Sequence, residues 1–356
     1  MATYKNLRKV LNLPTLSANP SSGVNGEMYF NTTDSALYIY DGAWKKATQS
    51  STYSYQGTQT GFCVGGGSTE TNQQGIISSF SLTSDGNATS VGNVAASDNY
   101  SWGATFNGGS NGYQAGGGTG STNKRRVDKF SMTSPGASSN VATLSADQWR
   151  GGAGTAQTFG LSFGAVGTSG LNVIQTVTFA TDGVASSSYS MSTKRAWPAC
   201  GNNTTHTYLL GGYNAISGAA ATSVEKFAHS NDANSVAYSG TISTGSHKQA
   251  TGTSSTEKVF KAGGMDSSFS NQIESIAFAS EANATDLGNL LSAINNGNLT
   301  GVSGEAHGYM CGGATYNYPS GTAINNIQKL AYANSNNATD VGNLTQTTQK
   351  ARCCFI

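Results

Sequence analysis

The sequence predicts an all-β fold made of six copies of one unit, and three observations support this prediction. An apolar strand pattern Φ-x-x-Φ-x-Φ recurs six times, at spacings of 50, 47, 50, 49 and 54 residues. A glycine pair precedes the pattern in five copies, and each unit has room for four short strands. The pattern begins at Ile77, Val127, Ile174, Val224, Ile273 and Ile327. A period near fifty residues with four strands per unit is typical of a β-propeller, so we expect six four-stranded blades.

The glycine pairs are expected at the end of the second strand of each blade, where the backbone turns through positive φ. They begin at Gly65, Gly116, Gly211, Gly263 and Gly312, while Gly164 is followed by Ala165. With these pairs, residues 61–356 resemble the kelch-like propellers, whose second strand ends in a diglycine. The regular downstream Tyr and Trp of the usual kelch pattern are absent here. The resemblance implies a six-bladed kelch-like β-propeller.

The C-terminus is expected to close the first blade. We name the strands of a blade a to d, so that b ends in the glycine pair and c carries the Φ-x-x-Φ-x-Φ pattern. Strands b, c and d are predicted six times, but strand a precedes only five of the b strands. The terminal residues 350–356, KARCCFI, resemble residues 194–200, KRAWPAC, which lead into a strand a. The last residues therefore supply the missing strand, and no sheet edge is left open.

Composition narrows the function. Charged residues make up 10% of the chain and the net charge is +1, which argues against nucleic-acid binding. No run approaches the roughly 18 apolar residues of a membrane span, so we expect no membrane insertion. The N-terminus lacks the pattern of a secretory signal, and five cysteines favour buried thiols over a disulfide framework. We therefore expect synthesis and folding in a cytoplasm.

Residues 1–50 form a separate module, and residues 51–60 are predicted to be a linker to the propeller at 61–356. Alternating apolar positions on both sides of an Asn-Thr-Thr-Asp-Ser turn predict a β-hairpin in 26–44. This block, GEMYFNTTDSALYIYDGAW, is similar to a short module of bacteriophage tail fibres and other phage structural proteins. The resemblance implies a virion protein, made in the host cytoplasm, with this module at an attachment or oligomerisation point. The residues expected to make that contact are Tyr29, Phe30, Leu37, Tyr38, Tyr40 and Trp44. The alternative is a hairpin that packs on the propeller without such a role.

A receptor-facing surface is expected on the face of the propeller that carries the d–a and b–c loops. Basic residues gather near the starts of strands a and suggest a site for the carboxylates or phosphates of a host-surface polysaccharide. The candidates are Arg150, Lys194, Arg195 and Lys248, with Tyr213, Tyr316 and Tyr318 as stacking platforms for sugar rings. The alternative is that these basic side chains pair with acidic residues of the fold.

Catalysis, a metal and a cofactor are not expected. The four histidines show no metal-ligand spacing, the arginines are scattered, and the Asp boxes of sialidases are absent. Two functions remain open. In the first, the chain is a tail fibre or receptor-binding protein that recognises host glycan. In the second, it is a capsid-surface knob, neck appendage or tail adaptor that contacts only other phage virion proteins. Either implies a homo-oligomer, and fibres of this kind are often trimers.

Overall fold

The computed structural model describes residues 13–46, 54–68, 74–94, 102–119, 122–165, 171–183, 186–214, 221–230, 234–243, 248–266, 268–292, 301–315, 322–334 and 336–356. The chain divides into two compact units, Met1–Thr52 and Tyr53–Ile356. Every regular element in these described ranges is a strand, and none is a helix. The predicted all-β class is confirmed.

The first unit holds a four-stranded sheet, and the predicted hairpin forms its two central strands. Met28–Asn31 pairs antiparallel with Ala36–Tyr40. Thr15–Leu16 joins the first of these in parallel, and Trp44–Lys46 joins the second in antiparallel orientation. A lone hairpin of this size is marginally stable, so the two added strands are what allow it to form a small core.

The second unit contains six antiparallel sheets in which strands a to d follow one another. In that order, sheet 1 has Arg352–Phe355, Thr60–Val64, Ile76–Ser81 and Thr89–Asn93; sheet 2 has Ala104–Gly108, Asn111–Ala115, Thr122–Ser131 and Ser139–Gln148; sheet 3 has Gly152–Thr155, Phe159–Ala165, Leu171–Thr178 and Ser186–Ser190; sheet 4 has Ala199–Asn202, His206–Leu210, Ser223–Ala228 and Val236–Thr241; sheet 5 has Thr251–Ser254, Lys258–Ala262, Gln272–Ala277 and Thr285–Asn289; and sheet 6 has Val302–Ser303, His307–Ala314, Ala323–Ala331 and Thr339–Asn343. The recurring strand pattern thus corresponds to six similar sheets.

Two short additions lie outside this scheme. Gly118–Thr119 pairs with the c strand of sheet 2, and Arg195–Ala196 pairs with Tyr213–Asn214 beside sheet 4. The C-terminal strand Arg352–Phe355 pairs with Thr60–Val64, which is the partner that the sequence predicts. Sheet 1 therefore joins the two ends of the second unit.

Six buried apolar clusters lie between consecutive sheets. Four-stranded sheets of this kind are apolar on both faces, so each one packs on two neighbours. The cluster between sheets 6 and 1 contains Tyr309 and Ile327 of sheet 6 together with Phe80 and Phe355 of sheet 1. Each strand a also contacts the strand a of the next sheet, and Arg352–Phe355 contacts those of both sheet 6 and sheet 2. The order of packing thus runs from sheet 1 to sheet 6 and returns to sheet 1.

A buried polar residue occupies the same position in each c strand, and at Gln175 and Glu225 it joins neighbouring sheets. It follows the first apolar position of the pattern and is at most 3% exposed in every copy. The six residues are Ser78, Asp128, Gln175, Glu225, Glu274 and Gln328. Gln175 accepts a hydrogen bond from the Ala146 amide at 2.9 Å. Glu225 accepts one from the Ser192 amide at 2.9 Å, just after the last strand of sheet 3. Hydrogen bonds of this kind satisfy amides that would otherwise be buried without a partner.

Residues 55–57 belong to the second unit, although the sequence places them in a linker. The Tyr55 hydroxyl donates to the Ser255 carbonyl at 3.2 Å. The Gln56 side-chain amide donates to the Gly304 carbonyl at 2.8 Å, and the Gly57 amide donates to the Ser303 carbonyl at 2.7 Å. The chain thus enters this unit against the a–b turns of sheets 5 and 6.

Candidate ligand-binding site

The site is built on one backbone position that recurs two residues before strand a. At this position φ is positive in sheets 1 to 5, although none of the residues is glycine. The residues are Trp102 (φ 67°), Arg150 (64°), Trp197 (56°), Gln249 (59°) and Lys350 (66°). A non-glycine residue in this region costs about 1–2 kcal/mol, and such strain is concentrated at functional sites. We name these five residues the positive-φ positions.

Backbone hydrogen bonds connect the positive-φ positions of consecutive sheets. The amide of Arg150 donates to the Trp102 carbonyl at 2.9 Å, and the amide of Trp197 donates to the Arg150 carbonyl at 2.7 Å. The amide of Trp102 donates to the Lys350 carbonyl, and the amide of Gln249 donates to the Trp197 carbonyl, each at 3.3 Å. These backbone hydrogen bonds offset the conformational strain and fix the backbone positions from which the five side chains extend.

Side chains at three of these positions, together with the neighbouring Trp149, form a cluster of tryptophans around a guanidinium group. The Arg150 guanidinium carbon lies 3.6 Å from the centroid of the Trp149 ring, 4.5 Å from that of Trp197 and 5.7 Å from that of Trp102. The rings of Trp102 and Trp197 are themselves 5.8 Å apart. Each such cation–π contact contributes about 0.5–2 kcal/mol. The cluster therefore holds the Arg150 charge in a defined place.

Two lysines and a tyrosine extend this cluster. Lys350 Nζ lies 5.1 Å from the centroid of the Trp102 ring. Lys248 Nζ lies 4.9 Å from the centroid of the Tyr213 ring, which is 5.9 Å from that of Trp197. Lys248 also faces Asp266, at 3.7 Å between Nζ and Oδ1. We name the residues the aromatic–cationic cluster: Trp102, Trp149, Arg150, Trp197, Tyr213, Lys248 and Lys350.

Three buried polar atoms lie in and beside the cluster. The indole Nε1 atoms of Trp149 and Trp197 are buried, and neither has a hydrogen-bond partner in the described part of the chain. The same holds for Oε1 of Gln249. A buried donor without a partner costs about 1–3 kcal/mol. The flat rings and the positive charge of the cluster suit a sugar ring that carries a carboxylate or another acidic group.

The expected receptor-facing residues have different outcomes. Arg150, Lys248 and Tyr213 lie in the cluster. Lys194 is half-buried and lies three residues before Trp197 of the cluster in the sequence. Arg195 needs a correction, because it is 1% exposed and forms an ion pair with Glu225 at 2.7 Å. Tyr316 and Tyr318 lie outside the described residues.

The buried pair explains why Arg195 does not face a receptor. Burial lowers the pKa of Arg195, and the Glu225 charge opposes that effect. Burial likewise disfavours the Glu225 carboxylate, but the Arg195 charge and hydrogen bonds from Ser235, Thr193 and Ser192 hold its pKa below the usual value. Both groups are therefore charged and paired inside sheet 4. This is the alternative that sequence reasoning left open for the basic residues.

Sequence reasoning placed Lys350 among the basic residues near the starts of strands a, but it did not assign Trp149 and Gln249 to a binding site. The available signal was regular spacing in the sequence. Trp102, Arg150, Trp197 and Gln249 precede successive a strands and are 48, 47 and 52 residues apart. Nothing in the sequence indicates positive φ at a Trp, Arg or Lys, because these residues rarely adopt it. The conformation is imposed by the contacts between sheets.

The six a strands line a second feature, a cavity of about 20 Å³. Its lining includes Thr105, Thr155, Asn202, Ser303 and Cys353. A volume of this size holds one water-sized molecule and excludes a sugar. The space between the a strands is therefore too small for a glycan site.

The attachment residues of the first unit divide between two faces of its sheet. Directly paired residues share a face, which places Tyr29, Tyr38, Tyr40 and Trp44 together. Their rings contact each other at centroid distances of 5.0–5.3 Å. Tyr29 is 1% exposed and donates a hydrogen bond to Asn19, so it is a core residue and its expected attachment role is corrected.

The opposite face of this sheet carries the remaining two attachment residues. Phe30 pairs with Leu37, and Met28 pairs with Ile39, so these four apolar side chains share it. Phe30 is exposed and the other three are half-buried. We name this set the Phe30 face.

No helix in the described residues is long and apolar enough to cross a membrane. The same part of the chain contains no group of three or more His, Cys, Asp or Glu side chains arranged to hold a metal ion. No protein-family model matches the chain, and no curated protein is significantly similar to it in sequence.

Proposed function

We propose that the six sheets of the second unit are the blades of a six-bladed β-propeller of the kelch-like type. The cyclic order of the buried clusters and the contact of each strand a with the next support this architecture. The central cavity lined by all six a strands is what such an axis requires. In this arrangement, the aromatic–cationic cluster surrounds one mouth of the axis.

We propose that the protein is a non-enzymatic bacteriophage virion protein of the tail-fibre type, whose propeller binds an acidic host-surface polysaccharide. The observation that carries the binding proposal is the aromatic–cationic cluster, with Arg150 between Trp149, Trp197 and Trp102. The virion assignment depends on the resemblance of residues 26–44 to the phage fibre module. Sugar rings stack on tryptophan faces, and acidic groups bind to guanidinium and ammonium groups.

The first unit serves as the attachment point to other virion proteins in this proposal. Attachment is assigned to the Phe30 face, because the aromatic rings of the other face are used in the core of the module. An exposed Phe with three half-buried apolar neighbours offers a small hydrophobic contact area. A homo-oligomer, such as the trimer common among fibres, would bring several copies of this face together.

The binding proposal is tested with the full-length protein on an array of acidic and matched neutral bacterial polysaccharides. We expect binding to an acidic polysaccharide that weakens as salt is added, because the charged groups are screened. The variants Arg150→Met and Lys350→Met should each weaken it about tenfold or more, which corresponds to about 1.4 kcal/mol. Lys329→Met is the matched control, since Lys329 pairs with Asp85 on the surface away from the cluster and should bind as the wild type does.

The second candidate function is a purely structural role in the particle, as a capsid-surface knob, neck appendage or tail adaptor. The Phe30 face supports it as well as the first function, because an exposed Phe with half-buried apolar neighbours suits a protein partner. In that case the array shows no binding, whereas Phe30→Ser prevents incorporation into particles under either function. Binding that persists unchanged in both cluster variants also contradicts the first proposal.

A further inference from the structure

Three thiols from three different strands meet where sheet 6 contacts sheet 1. Cys63 lies in strand b of sheet 1, Cys353 in the C-terminal strand, and Cys311 in strand b of sheet 6. All three belong to one buried cluster, and none of them forms a disulfide. The binding proposal above makes no use of them.

The register of the closing strand brings two of these cysteines directly opposite each other. Cys353 pairs with Cys63 in an antiparallel ladder. Ile356 and Thr60 exchange both backbone hydrogen bonds, at 2.9 and 3.1 Å, so theirs is a hydrogen-bonded pair. Because the two pair types alternate along the ladder, Cys353 and Cys63 form a non-hydrogen-bonded pair. Their Cα atoms are then about 4.5 Å apart, within the range of about 4.4–6.8 Å that a disulfide spans.

The thiol of Cys353 is the most acidic of the three. Hydrogen bonds from Cys311 and Cys63, helped by the nearby charge of Arg352, hold the pKa of Cys353 well below its ordinary value. Hydrogen bonding to Cys353 and burial raise the pKa of Cys63 and of Cys311. The thiolate is the reactive form of cysteine, so oxidation is expected to begin at Cys353.

Cys353 is one of the residues that line the cavity of about 20 Å³ between the a strands. This volume holds one water-sized molecule, and a peroxide molecule is only slightly larger. A bulky disulfide reagent does not fit there. We therefore expect a peroxide to oxidise this site more readily than a large thiol oxidant does.

We propose that Cys353 and Cys63 are a peroxide-oxidisable latch that fastens the C-terminal strand to strand b of sheet 1. In the first step, the Cys353 thiolate attacks one oxygen of hydrogen peroxide. An S–O bond forms, the O–O bond breaks, and the departing hydroxide takes a proton to give water. In the second step, the Cys63 sulfur attacks the sulfenic sulfur of Cys353, so that the S–S bond forms and the oxygen leaves as a second water. Two thiols and one peroxide thus give one disulfide and two waters.

The latch would act on the contact that joins the two ends of the second unit. Unlatched, the C-terminal strand is held by its hydrogen bonds and by packing against sheets 6 and 2. A disulfide across this pair links residues that are far apart in sequence, which restricts the unfolded chain strongly. Cys311 is the third thiol at the site, and thiol–disulfide exchange with it would move the bond to Cys311 and release one of the other two thiols.

The test treats the full-length reduced protein with hydrogen peroxide, blocks free thiols under denaturing conditions, and maps disulfides by mass spectrometry without reduction. After peroxide we expect a Cys63–Cys353 disulfide and a Tm higher by roughly 5 °C or more. After treatment with oxidised glutathione instead, we expect no such disulfide. The proposal is overturned if peroxide gives no disulfide, or a bond only to Cys311 or Cys354.

Two variants make the assignment specific. Cys311→Ala leaves the predicted pair intact and should still gain the disulfide and the rise in Tm. Cys63→Ala should gain neither, while its Tm before oxidation shows whether it is folded. A rise in Tm after peroxide that persists in Cys63→Ala contradicts the latch.

Discussion

At the scale of single residues, buried polar side chains decide how neighbouring sheets are joined. The repeated position after the first apolar residue of strand c holds Ser, Asp, Gln, Glu, Glu and Gln in sheets 1 to 6. Gln175 binds the Ala146 amide and the Ser145 hydroxyl at 2.9 and 3.0 Å, and donates to the Ala146 carbonyl at 3.3 Å. These partners belong to sheet 2, so the side chain acts as a link between two sheets.

The link at Gln175 predicts the effect of removing it. The variant Gln175→Met keeps a similar volume but leaves the amide and carbonyl of Ala146 without this partner. We expect the free energy of unfolding to fall by about 2–4 kcal/mol, because buried backbone groups lose their hydrogen bonds. Urea denaturation measures this change. Gln59→Met, at an exposed position, is the control and should change stability by less than about 0.5 kcal/mol; equal effects in both variants would contradict the interpretation.

A second residue-scale prediction concerns His229 and pH. Burial lowers the pKa of His229 to about 4, and its Nε2 lies 3.0 Å from the Thr207 hydroxyl. The unfolded chain binds this proton at a pKa near 6.5, so the stabilising effect is present above about pH 6.5 and is lost as pH falls towards 4. We expect the free energy of unfolding to fall by up to about 3 kcal/mol over this pH range, because one pKa unit corresponds to about 1.4 kcal/mol.

Urea denaturation of wild type and His229→Gln at pH 7 and pH 4.5 provides the measurement. The variant should show a weaker dependence on pH than the wild type does. His206→Gln is the comparison variant, since burial lowers the pKa of His206 as well and its pH profile shows how much of the effect belongs to each histidine. Parallel pH profiles for wild type and His229→Gln would rule out this account.

At the scale of elements, the glycine pairs allow the chain to pass closely between strand b and the segment that enters strand a. Both glycines of the five pairs have positive φ, from 64° to 119°. A Cβ at Gly66 would lie 2.2 Å from the Thr348 hydroxyl and 2.7 Å from the Gln349 carbonyl. Glycine is therefore required here for two reasons, its backbone conformation and the lack of space for a side chain.

This requirement predicts that Gly66→Ala destabilises the second unit. Positive φ costs an alanine about 1–2 kcal/mol, and displacing the segment at Thr348 adds to this, for a total of about 3 kcal/mol. Thermal unfolding by circular dichroism is the measurement. Gly136→Ala serves as the control, because a Cβ there would have no neighbour within 4 Å. A Gly66→Ala variant as stable as this control would show that the pair has no structural role.

At the scale of the whole molecule, the C-terminal strand completes sheet 1 and connects the start of the second unit with its end. Arg352, Cys353, Cys354 and Phe355 are all at most 6% exposed. Phe355 packs in the cluster between sheets 6 and 1, while Cys354 packs in the cluster between sheets 1 and 2. Arg352 donates a hydrogen bond to the Gly103 carbonyl beside sheet 2. Four residues thus bind three sheets together.

Removing this strand is therefore expected to affect the entire second unit. A chain that ends at Gln349 exposes parts of two apolar clusters and leaves the edge of Thr60–Val64 unpaired. We expect a loss of about 5 kcal/mol or more, since truncating one buried Phe alone costs about 3–5 kcal/mol. Ile356→Ala is the control, with an expected loss of about 1 kcal/mol. A truncated protein with an unchanged Tm would contradict the proposed closure.

The sequence by itself determined the six repeats, the all-β class, the glycine pairs and the partner of the C-terminal strand. These features are visible because apolar spacing and positive-φ glycines act locally, and each recurs in every repeat. Tertiary structure decided what each side chain of a given type does. Two arginines near the start of a strand a, Arg150 and Arg195, received opposite environments: one lies among tryptophans, and the other is buried against Glu225. Tyr29 and Phe30 also have opposite environments, because adjacent residues in a strand point to opposite faces of the sheet. Tyr29 is buried and Phe30 is exposed, and only the packing on each face decides which of them is a core residue.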